Sequence, residues 1–177
     1  MDYSILLVIV PVALLVFFIG WVSRKSNRAT PKYDERQVAA RGEAFKAGFF
    51  TFVICNALIA IMEGLELQWA ESTAIEVLLT VFIAIGVFAV TAIRKDAYFG
   101  FNENIRSSVI LLSIIAGMNL ITGIMRIVDG EDALLENGRI GSGILNFAVT
   151  AVFICILAAL VLHRKAQAAA SDGESDE

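Results

Sequence analysis

Lys32-Tyr-Asp-Glu-Arg-Gln-Val-Ala-Ala-Arg-Gly-Glu-Ala-Phe-Lys-Ala-Gly-Phe-Phe50 opens almost entirely charged and closes apolar, with no proline between its halves. Two helix starts are available. Thr30-Pro31 places a capping residue before proline, and Asp34 with Gln37 three residues on has capping-box spacing. No proline occurs after Pro31 anywhere in the chain. One helix is therefore expected from about 34 to 64, long enough at about 1.5 Å per residue to cross a bilayer and project beyond it. Gln37 with Arg41, and Glu43 with Lys46, have the spacing of neighbours on a helix surface. The charged half reads either as the solvated end of a membrane helix or as a docking surface for a cytoplasmic partner. In the second reading the surface is Asp34, Glu35, Arg36, Gln37, Arg41 and Glu43.

Working outward from this stretch, the composition decides the solvent. Of the 177 residues 58% are hydrophobic and 18% charged, more apolar surface than a soluble domain of this length can hide. The charges fall in clusters between five apolar runs, 5–22, 44–62, 77–93, 107–125 and 144–162, each of about the 17–25 residues a transmembrane helix needs. Lys46 sits inside the second run near its charged end, where its stem can snorkel. The first run lacks a basic leader and a small-residue cleavage pattern, so it reads as a retained span. The expectation is an all-α polytopic membrane protein. Residues 1–165 form one transmembrane domain of five helices, and 166–177 a disordered, acidic cytoplasmic tail.

Lys and Arg orient it. With the N-terminus outside, twelve of the fourteen basic residues fall on the inner side, and only Arg126 and Arg139 lie outside. The C-terminus is then inside. The outer loops carry Glu63, Glu66, Glu71, Glu76, Asp129, Glu131, Asp132 and Glu136, an acidic face.

Polar residues within the spans are the next signal. Asn56 and Glu63 lie seven apart on the second run, and Asn119, Thr122 and Arg126 repeat that spacing on the fourth. Their ordinary role is interhelical hydrogen bonding, and the sharper one is lining a path. If the two helices are neighbours, Asn56 meets Asn119 and Glu63 meets Arg126. Asn56-Ala-Leu-Ile-Ala-Ile-Met-Glu63 also resembles Asn119-Leu-Ile-Thr-Gly-Ile-Met-Arg126, which suggests a leading span followed by two helix-pair repeats. Cys55 and Cys155 read as small buried thiols, and the single His163, without a second ligand, makes no metal site.

No phosphate-cradling loop, paired histidines or activated serine is visible, so no catalytic residue, cofactor site, metal site or direct nucleic-acid binding is expected. In the inner loop Arg94-Lys-Asp-Ala-Tyr-Phe-Gly-Phe-Asn-Glu-Asn-Ile-Arg106, Tyr98, Phe99 and Phe101 suit a headgroup belt. Gly100 supplies a turn there, and Asn102 is placed to cap the fourth helix.

Asp34-Glu-Arg-Gln37 with Arg41-Gly-Glu-Ala-Phe-Lys-Ala-Gly-Phe-Phe50 resembles a signature of small uncharacterised multi-span membrane proteins of Gram-positive bacteria. Lys95-Asp-Ala-Tyr-Phe-Gly-Phe-Asn-Glu103 is similar to a second element of that group. The resemblance implies a bacterial plasma-membrane protein, often encoded near a helix-turn-helix regulator, and no known activity. Taken together, the expectation is a non-enzymatic regulatory or sensory membrane protein that engages a partner at its cytoplasmic face. The alternative is a small transporter or transporter subunit, oligomeric, with a path near the polar faces of spans two and four. A lipid-modifying enzyme is the third reading.

Overall fold

The computed structural model describes residues 32–174, and the first apolar run, 5–22, lies outside them. Within them the chain is helical. Helix α1 is Glu35–Gly64, α2 Thr73–Arg94, α3 Ile105–Val128 and α4 Ile144–Glu174, with a two-stranded hairpin, β1 Leu135–Glu136 and β2 Arg139–Ile140, before the last helix. All four helices are long and apolar enough to cross a membrane. Val38, Phe45, Phe49, Ile54, Leu58 and Ile61 on α1, and Ile110, Ile114, Met118, Ile121 and Met125 on α3, are exposed, a surface suited to lipid.

Of the two possible starts for α1, the second is used. Asp34 is the N-cap, and its Oδ1 accepts from the Gln37 backbone N–H at 2.6 Å. Gln37 does not complete a capping box, because its side chain reaches a distant loop instead. At the same end of the bundle α4 continues past 162 to Glu174, through most of the stretch expected to be tail. The run Ala166-Gln-Ala-Ala-Ala170 is made of strong helix formers, which carries the helix on.

The lateral order is α1, α2, α4, α3. Helix α2 packs on α1 and α4, and α4 packs on α2 and α3. Two glycines set the outer contacts. A Cβ at Gly48 would lie 3.0 Å from the Ala84 carbonyl oxygen, and one at Gly123 only 2.9 Å from the Asn146 Cβ. Small residues of this kind let helices approach closely where hydrophobic burial cannot drive association. The central contact is a cluster of Ala89, Ile93, Ile156 and Leu160, with Tyr98 and Phe99 folded in against it.

Three helices close on a Schellman motif, and two of them do so without glycine. At α2 the N–H groups of Asp96 and Ala97 return to Ile93 and Ala92, with Asp96 at φ +55°. At α1 those of Glu66 and Leu67 return to Glu63 and Met62, with Glu66 at φ +60°. Only α3 places glycine there, Gly130. The hairpin turns on Asn137-Gly138, both at positive φ, with Glu136 paired to Arg139. Its second strand lies against the α1–α2 loop, where the Ile140 N–H donates to Trp69 and the Glu71 N–H to Ile140.

Candidate functional site

The two sequence elements that stood out, the charged start of α1 and the aromatic loop 95–104, are built into each other. Gln37 is buried, and its Nε2 donates to the main-chain oxygen of Asp96 at 2.7 Å and to that of Phe99 at 3.4 Å. One turn further along α1, Arg41 Nη1 donates to Ala97 O at 3.0 Å, Tyr98 O at 3.2 Å and the Tyr33 hydroxyl at 3.0 Å. The guanidinium also stacks 4.4 Å above the Tyr33 ring. Glu43 is ion-paired with Lys95 of the loop, not with Lys46 as its helix spacing suggested. The segment before α1 closes the arrangement. Lys32 N–H donates to Asn102 Oδ1 at 2.8 Å, and Phe101 N–H to Lys32 O at 2.9 Å. Asn102 is therefore engaged with Lys32, and Asn104 caps α3 through Ser107 N–H.

Asp96 joins three elements. Its carbonyl serves α1, and its left-handed backbone ends α2. Its carboxylate Oδ1 lies 2.6 Å from His163 Nε2 and accepts from Gln167 Nε2 at 2.8 Å, both on α4. Arg36, mostly solvated, approaches Asp96 Oδ2 at 3.9 Å, a pair that contributes little. Sequence reasoning missed the His163–Asp96 contact, because nothing in local sequence links positions sixty-seven residues apart.

Between the loop and the end of α4 lies a cavity of about 340 Å³, lined among others by Gln37, Asp96, Glu103, His163, Arg164 and Gln167. Gln37 Oε1 is buried without a hydrogen-bond partner. Glu103 Oε2 accepts from Gly100 N–H at 2.6 Å. Burial pushes the Tyr98 phenol above its ordinary pKa, partly offset by the nearby Arg41. The cavity offers donors, acceptors and both signs of charge. No serine, threonine or cysteine is among its lining residues, which include Tyr98.

Of the docking residues expected from sequence, Gln37, Arg41 and Glu43 are committed to holding the loop and Asp34 to capping the helix. Glu35 and Arg36 remain outward-facing, with the Arg36 side chain 78% exposed. Of the three aromatic residues expected in a headgroup belt, Phe101 is 70% exposed, whereas Tyr98 and Phe99 turn inward.

The expected cluster between spans two and four separates into independent contacts. Asn56 Nδ2 donates to Phe52 O at 2.8 Å and to Thr80 Oγ1 of α2 at 2.9 Å. Glu63 accepts from Thr73 Oγ1 at 2.8 Å. Asn119 Nδ2 donates within α3, to Ile115 O at 2.9 Å, and Thr122 is exposed. Arg126 pairs with Asp132 at 3.1 Å and Glu131 at 3.5 Å, so the expected Glu63–Arg126 pair is not formed. Equal spacing along two helices fixes equal depth, but which helices become neighbours is decided elsewhere, at Gly48 and Gly123. The two matched asparagines do share one local feature, a bond to the carbonyl four residues back. Cys55 and Cys155 are both free thiols, but Cys55 is only half-buried and Cys155 is exposed, so the expectation that they are buried does not hold.

Comparison with known proteins gives no further frame, since no protein family, curated protein or solved structure matches the chain.

Proposed function

We propose that the chain is a non-enzymatic regulatory or sensory protein of a bacterial plasma membrane, spanning it five times, with its N-terminus outside and its C-terminus inside. Its cytoplasmic face, in this reading, is the end of the bundle that carries loop 95–104, and a partner engages it there. The observation that supports this is the clamp formed by Gln37, Arg41 and Asp96. It holds the start of α1, the loop and the end of α4 as one preformed surface, where binding need not first order a loop. Glu35, Arg36 and Phe101 are its outward-facing groups, two opposite charges and an aromatic ring. The transporter reading has less support, because the polar residues of α1 and α3 face separate neighbours.

The test is exchange of Glu35 and Arg36, combined with Phe101→Ser, in the intact protein. The expected result is normal insertion and monodispersity with loss of the partner recovered from native membrane in mild detergent. Undiminished recovery would refute the docking surface. Cysteines introduced at Glu71 and Asp132 should react with an impermeant reagent in intact cells, and one at Asn102 only after lysis. Labelling of Asn102 from outside would reverse the orientation.

A further inference from the structure

At the opposite end of the bundle the structure holds a carboxylate with no counterpart. Glu76, in the first turn of α2, is 4% exposed, and its Oε2 is buried without a hydrogen-bond partner. The Ala70 backbone N–H faces the same carboxylate, and Glu63, at the end of α1, is close enough to repel it. Glu76 lines a cavity of about 220 Å³ together with Glu63, Gln68, Glu71, Ser72 and Thr73. The α1–α2 loop closes over this end and is itself pinned by the hairpin through Trp69, Glu71 and Ile140.

Every polar side chain in that lining can offer an oxygen, and none is basic. A buried, ionised carboxylate with one bare oxygen and an acidic neighbour is costly unless a positive charge joins it. Oxygen donors without nitrogen or sulfur select hard cations over zinc or copper. The absence of aromatic side chains in the lining removes the cage that a quaternary ammonium group needs. Among the described residues no three acidic, histidine or cysteine side chains converge as a complete metal cage. Three carboxylates, of which Glu71 is exposed, with neutral oxygens and room for water suit an ion that keeps part of its hydration shell.

We propose that Glu63 and Glu76 bind a partly hydrated divalent cation, Mg²⁺ or Ca²⁺, that ties the end of α1 to the start of α2. The Thr73 hydroxyl, which now donates to Glu63 Oε1 at 2.8 Å, is placed to support that carboxylate or to offer its oxygen to the ion. The site is independent of the partner surface at the other end of the bundle.

The experiment is thermal unfolding of the purified full chain in detergent at neutral pH, titrated separately with MgCl₂ and CaCl₂ against NaCl at matched ionic strength. A saturable rise in Tm is expected with at least one divalent salt and not with NaCl. Glu76→Gln and Glu63→Gln should each raise the half-saturating concentration by about tenfold or more, the equivalent of one lost charge-assisted contact. Glu136→Gln, on the hairpin and outside the cavity lining, should leave it unchanged. If Glu76→Gln does not fold, Glu63→Gln decides the matter, and binding of Mn²⁺ to the unaltered protein, followed by its paramagnetic signal, gives a second readout. No divalent-specific rise would overturn the proposal, as would equal half-saturation in the Gln variants. A proton held on Glu76 in place of a metal predicts that first result together with a Glu76→Gln protein at least as stable as the original.

Discussion

Gln37 and Asp96 are joined across fifty-nine residues by a 2.7 Å hydrogen bond from the Gln37 amide nitrogen to the Asp96 main-chain oxygen. The bond fastens a loop through its backbone, so the loop's side chains stay available for other contacts. Removing it while keeping the shape should loosen the loop and leave the helices intact. Gln37→Met is expected to cost about 1–2 kcal/mol and to speed amide exchange at residues 97–101 more than in the centre of α2. Unaltered exchange there would remove the clamp.

Arg41 makes the stronger half of the same attachment, three donor contacts from one nitrogen. Lysine keeps the charge but not the planar fork or its stacking on Tyr33. Arg41→Lys should therefore lose about 1–2 kcal/mol in an unfolding measurement, nearly as much as Arg41→Met. Equivalence of Arg41→Lys with the original would mean that charge alone acts there.

Arg126 and Asp132 replace the pair that sequence spacing suggested. The Asp132 side chain is 8% exposed but that of Arg126 is 47% exposed, so solvent screens the pair from the arginine side, and a coupling of about 0.5–1 kcal/mol is expected from a double-mutant cycle. Glu63→Arg should not rescue Arg126→Glu. Rescue would require α1 and α3 to be neighbours after all.

Backbone geometry gives two predictions of opposite sign. Glu66 sits at φ +60° in the Schellman turn that ends α1, so Glu66→Gly should stabilise by about 1 kcal/mol. Gly123→Ala forces a Cβ to within 2.9 Å of Asn146 Cβ and should destabilise by about 1–3 kcal/mol, whereas Gly117→Ala meets nothing within 4 Å and should not. A thermal or denaturant series on the three variants decides both.

The four described spans were legible because runs of apolar residues between charges are a one-dimensional signal. The start of α1 was legible too, since Asp34 and Gln37 have the right spacing. Lateral order was not. It depends on which glycine meets which helix, and neither Gly48 nor Gly123 differs in sequence from Gly117, which faces open space. The hairpin is a different case. Asn137-Gly138 is a strong turn signal that the acidic surroundings obscured. At the candidate site, the importance of Gln37 and Arg41 could be read from sequence, but their role as loop fasteners could not. The His163–Asp96 contact rests on Asp96 adopting a left-handed backbone, a choice that glycine would have announced and aspartate does not.

The lateral order α1, α2, α4, α3 has a consequence for how the chain is made. Its outer contacts join consecutive helices, α1 with α2 and α3 with α4, and the contact of α2 with α4 joins the two pairs. During synthesis the first pair can close while the ribosome is still translating the second, because both of its helices and the loop that clamps them lie within residues 32–104. Helix α3 emerges with its main partner not yet made. Until α4 arrives, the glycine at 123 has no Asn146 or Phe147 to pack against. The interval between the third and fourth described helices is therefore the vulnerable step of biogenesis, and Gly123 is the position where an error made then would be kept.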